Sequence, residues 1–340
     1  MERLQSGLSA SASGACIVRR AALDIGSATT KVKVADVDIC ERVALRVLMA
    51  EEAAVFYRDD VASDAPVQFA TTTMDQGLEV LTDFRLRAAA HEPGAFAAVA
   101  TSAFRTADNG LDFARHIEGT LSITVKIIDQ NEEAWLGFMA AVRAAGVDPH
   151  QAVVWDVGGR SMQLTTLRDD GQLAIYRGQF ASGQMRDFVI RQVQRKQPAA
   201  LSPNPMSRRD ADAALGYAEA LAREEVPPEI RAKIADRDTL VVGIGALKYY
   251  GDRPPRKGGA CERSHLEVTV DGLLDKGDAE IGGDYASTQI SDRLLLVGFM
   301  RALGIERVAL ADVDLTDALL FEAEYWRGGA ARDLAARPSP

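Results

Sequence analysis

Two aspartates in matching company carry whatever chemistry this chain performs. Val153-Val154-Trp155-Asp156-Val157-Gly158-Gly159-Arg160-Ser161-Met162-Gln163-Leu164 begins as an apolar run. It delivers a carboxylate, two glycines and a serine, then turns apolar again. Ala21-Ala22-Leu23-Asp24-Ile25-Gly26-Ser27-Ala28-Thr29-Thr30-Lys31-Val32 does the same once before. An aspartate at a strand end can hold a divalent cation. Glycines after it let the backbone approach a bulky anion and turn N–H groups toward phosphate oxygens. A single Asp-x-Gly is usually just a turn. Two copies, one at the start of each half, read as two related domains facing each other across a phosphate cleft. The alternative is two unrelated hairpin turns.

The elements that must position these residues follow from the pattern. Leu23–Ile25 and Thr30–Val37 make a hairpin around Gly26-Ser27-Ala28, with a third strand over Glu41–Glu51. Leu78, Leu81, Phe84, Leu86 and Ala89 have helical spacing over Asp75–His91. Ala95–Ala100 and Ile123–Ile128 are strands, with a helix between them around Gly110–Ile117. Asn131 caps a helix over Glu132–Ala145 whose first turn is acidic. Gly146 to His150 is the expected joint. The second half restarts around Asp156 and continues with strands Leu173–Arg177, Thr239–Ile244 and Arg307–Leu310. Helices are expected over Gln184–Gln194, Asp210–Ala222, Ser291–Leu303 and Thr316–Trp326. Arg253–Ala260, basic and rich in Pro and Gly, is expected to be mobile. Strand–helix alternation in both halves gives an α/β fold of two domains, 20–147 and 148–330, with disordered tails at 1–19 and 331–340.

Composition bounds the function. The chain has 340 residues, enough for two domains, and 47% hydrophobic with 26% charged residues is globular. A net charge of −10 argues against a nucleic-acid partner but leaves room for a local anion pocket. Cys16, Cys40 and Cys261 are few, scattered and odd in number. They imply no disulfide framework and no metal knuckle, and a reducing, cytoplasmic setting is expected. No apolar run is long enough for a bilayer, so no membrane partner is expected. Residues 1–19 lack a continuous apolar segment of the secretory kind. Arg3, Arg19, Arg20 and the serines carry a faint organelle-transit character, set aside in favour of a disordered tail. His91, His116 and His150 read as surface residues, and His265 falls in a region without a clear element. No Ser/His/Asp or Cys/His nucleophilic set is visible.

Five stretches, in order and in register, resemble the Ppx/GppA family of exopolyphosphatases and guanosine pentaphosphate phosphohydrolases. They are Ala22-Leu23-Asp24-Ile25-Gly26-Ser27, the run from Ala100 to Asn109, the run from Ile127 to Gly137, Asp156-Val157-Gly158-Gly159-Arg160-Ser161, and Val242-Gly243-Ile244-Gly245-Ala246-Leu247. The resemblance extends from about Ala21 to about Leu320. It implies duplicated domains of the actin/chaperone/sugar-kinase (ribonuclease H-like) type. It also implies a short form, without the C-terminal helical domain of long members. Glu133 matches the family glutamate that activates water, while Glu132 serves only as a helix N-terminal acid. Asp24 and Asp156 match the two carboxylates that hold Mg²⁺. Arg105 matches an arginine aimed at phosphate, a task suited to its forked donors. Ser27, Gly158, Gly159, Arg160, Ser161 and Gly245 would bind substrate through backbone, hydroxyl or charge. Lys31 reads as a solvated strand lysine.

Departures from the family pattern cluster where phosphate should sit. The family's Asp-x-Gly-Gly-Gly-Ser-x-Glu has Arg160 for its third glycine and Gln163 for its glutamate. Ala28 replaces an asparagine, Gly245-Ala246-Leu247 replaces Gly-Gly-Thr, and Leu315-Thr316-Asp317-Ala318 replaces Leu-Arg-Glu-Gly. The resemblance therefore implies Mg²⁺-dependent release of terminal phosphate from polyphosphate or from guanosine pentaphosphate or tetraphosphate, with a homodimer as a further expectation. Its rival is a catalytically weak relative that binds phosphorylated ligands and regulates a partner. A sugar or acetate kinase of the same fold group is a third reading, and no adenosine pocket or sugar-binding base is evident for it.

Overall fold

A computed structural model describes residues 16–61, 67–197, 200–251 and 259–326. Its first sheet is built from β1 (Ile17–Ile25), β2 (Thr29–Asp38), β3 (Val43–Ala54), β4 (Ala95–Ala100) and β5 (Thr124–Ile127) in the order β3-β2-β1-β4-β5. The second contains β6 (Ala152–Val157), β7 (Met162–Leu167), β8 (Leu173–Gly178), β9 (Leu240–Gly245), β10 (Ala260–Glu262) and β11 (Arg307–Leu310), in the order β10-β11-β9-β6-β7-β8. Each begins with an antiparallel three-strand meander, β1-β2-β3 and β6-β7-β8. Each then adds parallel strands beside its first strand, β4 and β5 or β9 and β11. The repeat read from the two aspartate motifs is thus a repeat of whole sheets, duplicated α/β domains of the actin/chaperone/sugar-kinase type.

The first strand of each sheet is central, and its sequence reflects burial on both faces. Ala21, Leu23 and Ile25 join one core with Phe84, Phe104 and Ile117, while Ala22 joins another with Leu136 and Leu319. In the second half Val153, Trp155 and Val157 face the large core under Phe299, and Ala152 and Val154 face Phe138 and Val142. The Gln130–Ala145 helix is therefore a wedge between the sheets. Leu136 and Ala140 pack on the first, and Phe138, Ala141 and Val142 on the second. Glu133 lies in its first turn.

Several sequence boundaries shift for physical reasons. β1 starts at Ile17 and pairs with β2 as far as Asp38, so residues 17–19 belong to the sheet rather than to a tail. That longer hairpin brings Cys16 to Cys40, which form a disulfide, one that the reading of the cysteines as few and scattered did not anticipate. The wedge helix is capped by Asp129 rather than Asn131. The Asp129 carboxylate accepts from the N–H groups of Asn131 and Glu132. Gly146 closes the same helix in the left-handed region, at φ 62°. The last helix is Leu315–Leu319 and stops well short of Trp326. It packs on β1 and on the wedge helix, so this C-terminal segment joins the first domain's core rather than the second's. Helices Pro228–Ala235 and Arg263–Leu273 and strand β10 were not anticipated. His265 is exposed on the Arg263–Leu273 helix. The segments read as tails beyond these limits, and most of Arg253–Ala260, lie outside the described residues.

Candidate active site

The two aspartate turns have one geometry. In the first, the Gly26 N–H donates to Thr29 O at 3.1 Å; in the second, the Gly158 N–H donates to Ser161 O at 2.9 Å. A Cβ on Gly26 would lie 2.8 Å from Thr29 O, and one on Gly158 would lie 2.9 Å from Ser161 O, so both positions require glycine. The expectation that these glycine N–H groups face phosphate is corrected for Gly26 and Gly158, whose N–H groups close the turns. The N–H groups of Ser27, Ala28, Gly159 and Arg160 have no protein acceptor among the described residues. The turns nearly touch, because a Cβ on Gly159 would lie 3.1 Å from Ala28 Cβ.

Between them opens a cleft of about 200 Å³, partly open to solvent, lined by Asp24, Glu133 and Asp156 among others. Asp24 is 5% exposed, and its Oδ1 has no hydrogen-bond partner. Burial pushes its carboxyl up to about 7; nearby Lys31 opposes that, and Asp314 and Glu133 add to it. Asp156 is likewise pushed up to about 7, by burial first and then by the charge of Glu133. Gly245, at φ 67°, packs directly on Asp156, since a Cβ there would lie 2.4 Å from Asp156 Oδ1. Its role is to admit that carboxylate.

Glu133 is buried, and its pKa is raised by that burial, with Arg105 working against the rise. Arg105 Nη2 lies 2.8 Å from Glu133 Oε2, and its Nη1 donates to Ile128 O at 2.7 Å. The structure therefore brings Arg105 to the glutamate and not to the cleft lining. Ser161 Oγ donates to Glu133 Oε1 at 3.4 Å. Ser27 Oγ accepts from the Ala103 N–H at 3.0 Å, so it ties the first turn to the short Ser102–Thr106 helix after β4. Glu132, by contrast, closes the capping box and pairs with Lys126. Gln163, 1% exposed, stands opposite Asp156 in the β6–β7 register, and its amide offsets part of the rise at Glu133.

Lys31 is not a solvated strand lysine. Its Nζ lies 3.6 Å from Asp24 Oδ2 and 3.8 Å from Asp314 Oδ2. Burial works against its charge, but Asp314, Asp24 and Asp156 outweigh that and hold its pKa above the ordinary value. Other cleft residues carried no local signal. Arg58, 3% exposed, donates to Ser182 Oγ at 3.2 Å. Asp292 accepts from Tyr250 OH at 2.9 Å. The Tyr285 hydroxyl meets Thr29 Oγ1 at 2.7 Å, and Tyr249 stacks on Tyr285 while donating to Glu52 at 2.5 Å. These last contacts bridge the two halves at the cleft edge.

The donor set fits a divalent cation. Asp24 and Asp156 are buried carboxylates whose charges repel one another, and one Asp24 oxygen is without a partner. They would hold it.

The paired sheets and turns define a two-domain cleft of the actin-like kind. The Ppx/GppA phosphatase family is the family that the chain resembles, and that family's model matches residues 37–175. Among solved structures, an exopolyphosphatase-like protein aligns with TM-score 0.72 at 19% identity, covering 90% of this chain and 98% of that one. An exopolyphosphatase from Cytophaga hutchinsonii aligns with TM-score 0.70 at 17% identity, covering 89% and 96%. The Aquifex aeolicus member of the Ppx/GppA family aligns with TM-score 0.67 at 14% identity, covering 90% and 97%. At such identities these structures establish the shared fold. No curated protein matches the sequence. No helix among the described residues is long and apolar enough to cross a membrane.

Proposed function

We propose that the protein is a phosphoanhydride hydrolase that releases terminal phosphate from inorganic polyphosphate or guanosine pentaphosphate, with Mg²⁺ held by Asp24 and Asp156. The observation that carries this reading is the placement of Glu133. A carboxylate made more basic by burial, gripped by Arg105 and Ser161, lines the same cleft as the paired turns. Glu133 accepts the proton of an attacking water as its oxygen bonds to the terminal phosphorus. The bridging P–O bond breaks, and the shortened chain leaves with the electron pair. Arg105 orients Glu133. The free N–H groups of both turns and the Lys31 ammonium offer positive potential to phosphoryl oxygens. The cation would neutralise phosphate charge when bound.

The regulatory reading keeps one specific support. Gln163 offers an amide where the family has a carboxylate, beside Asp156 and Glu133. Phosphate release from polyphosphate and from guanosine pentaphosphate, each with Mg²⁺ and with EDTA, separates the two. Release above that of a Glu133→Gln control is the expected result. No release from either substrate, with binding retained, would establish the regulatory reading instead.

A further inference from the structure

A second group of ligand-type side chains lies away from the cleft, at the opposite end of β1. Cys16 immediately precedes that strand, and Asp24 stands next to its last residue. From Cys16 to Asp24 the chain runs roughly 25 Å, at about 3.3 Å per residue. The Cys16 and Cys40 sulfurs and a carboxylate oxygen of Asp38 all lie within 4.8 Å of one another. Cys40 is exposed, and Cys16 and Asp38 are half-buried.

The backbone holds these three together whether or not the disulfide is present. Ile17 stands opposite Asp38 in the β1–β2 register, and the Ile39 N–H donates to Cys16 O at 2.9 Å. Ile39, between two of the ligands, packs against the core that contains Phe321. Asp38 Oδ1 accepts from the N–H groups of Cys40 and Glu41 at 2.9 and 3.0 Å. Those bonds fix the carboxylate and leave Oδ2 without a partner among the described residues. Breaking the S–S bond therefore frees two sulfurs that remain neighbours. An exposed disulfide is also the kind that a thiol reaches. The cations nearest in sequence are already neutralised, Arg19 by Asp36 and Arg42 by Glu322, so neither repels an arriving metal ion. Cys16 and Cys40 are 24 positions apart, far from the spacing of a metal knuckle, so only the strand register reveals the set.

Two thiolates and one carboxylate select a thiophilic divalent cation over the hard, oxygen-seeking Mg²⁺. We propose that the reduced Cys16 and Cys40 thiolates, with Asp38, form a Zn²⁺ site gated by the Cys16–Cys40 disulfide. A dithiol reductant opens it. One thiolate of the reductant attacks Cys40 Sγ, the S–S bond breaks, and its electron pair leaves on Cys16 Sγ. The reductant's second sulfur then displaces Cys40 Sγ, and the reductant ends as a cyclic disulfide. Zn²⁺ displaces the two thiol protons, which pass to solvent, and water completes the four-coordinate shell. The disulfide form lacks both sulfur ligands and does not hold the ion. The site is independent of the reaction in the cleft.

Co²⁺, a spectroscopic stand-in for Zn²⁺, tests this. A sulfur-to-cobalt absorption band in the near ultraviolet reports thiolate ligation, which the cleft carboxylates cannot produce. The full chain is reduced with dithiothreitol, freed of it under nitrogen, and titrated with Co²⁺ in excess Mg²⁺. The reduced protein should take up one Co²⁺ per chain with the band, and Zn²⁺ should displace it. Disulfide-bonded protein, in which Cys261 is unchanged, should show no band. Cys16→Ser and Cys40→Ser should lose the band, and Cys261→Ser should keep it. Asp38→Asn should weaken the metal about tenfold to a hundredfold, the worth of even an indirect metal partner. Zn²⁺ should also raise the melting temperature of the reduced wild type and not that of Cys16→Ser. A reduced protein without the band, or a band that survives Cys16→Ser, overturns the proposal. A band that needs both cysteines but is indifferent to Asp38→Asn overturns the three-ligand site. The comparison of reduced with disulfide-bonded wild type needs no variant, so it decides even where a cysteine variant fails to fold.

Discussion

Replacing Asp24 by asparagine should stabilise the metal-free protein, and the gain should grow with pH. Asp24 is 5% exposed, and its only cationic neighbour within 4.0 Å among the described residues is Lys31, at 3.6 Å, which it shares with Asp314. Its pKa rises from 3.8 to about 7. Below the unfolded value both states carry the proton, and the group contributes nothing. As pH climbs from about 4 to about 7, the unfolded carboxyl ionises first, so unfolding releases a proton and stability falls. Above about 7 the penalty is complete. Some 3 units at 1.36 kcal/mol each is about 4 kcal/mol for an isolated group. Asp156 sits at a similar pKa and repels Asp24, so the two titrate together, and about 2–4 kcal/mol is expected for one substitution. Urea unfolding in EDTA at pH 5, 7 and 8.5 reads it directly. Asp24→Asn should gain on wild type from pH 5 to pH 7 and change little beyond. A gap of the same size at pH 5 and pH 8.5 would refute the buried, uncompensated carboxylate.

Further outcomes are expected elsewhere. Glu133→Gln should keep the fold and lower phosphate release about a hundredfold to ten-thousandfold, the worth of a positioned base, read by phosphate detection at saturating substrate. Gln163→Glu puts a third carboxylate beside Asp156 and Glu133, so the rise in melting temperature on adding Mg²⁺ should exceed that of wild type; an equal rise would separate residue 163 from the cation. Gly298→Ala should destabilise the protein by about 1–3 kcal/mol in urea unfolding. Its Cβ would lie 2.5 Å from Ala218 Cβ and 3.0 Å from the Glu219 N, so two helices must separate. Reducing Cys16–Cys40 should cost less than the ~3 kcal/mol of an unconstrained loop of similar length, because β1 and β2 already hold the hairpin closed; thermal melts with and without reductant measure this.

The residues legible in the sequence were those whose chemistry is set by a strand end or a helix start. Asp24 and Asp156 each follow an apolar run and precede a turn, so local pattern placed them at the cleft, whereas Glu133, inside the first turn of its helix, was singled out by the family resemblance. Lys31 was misread because alternation along β2 puts it on the face opposite Val32, which looks solvated when the hairpin is considered alone. The segment around Asp314, nearly three hundred residues later, covers that face. Arg58, Asp292 and Tyr285 enter the cleft only through tertiary packing. The one local hint at Arg58 is a charge set directly after Val55-Phe56-Tyr57, an apolar run. The disulfide was missed for a related reason. Starting β1 at Leu23 hid the register that carries Ile17 opposite Asp38 and so brings the two cysteines together.

The departures from the family pattern divide once the two turns are laid side by side. Gly26 matches Gly158, Ser27 matches Gly159, Ala28 matches Arg160, and Thr29 matches Ser161. The positions that tolerate no side chain are the ones that close each turn, and both keep glycine. The Arg160 position corresponds to Ala28, which carries a Cβ in the first turn without disturbing its hydrogen bond. A side chain at 160 is therefore compatible with the turn's hydrogen bond. It exchanges a backbone approach for a cation. Gln163 differs in kind, because it is buried in β7 opposite Asp156 and puts a neutral amide where the family has a carboxylate. Reverting Arg160 should cost affinity for the phosphate substrate, while reverting Gln163 should gain affinity for the cation.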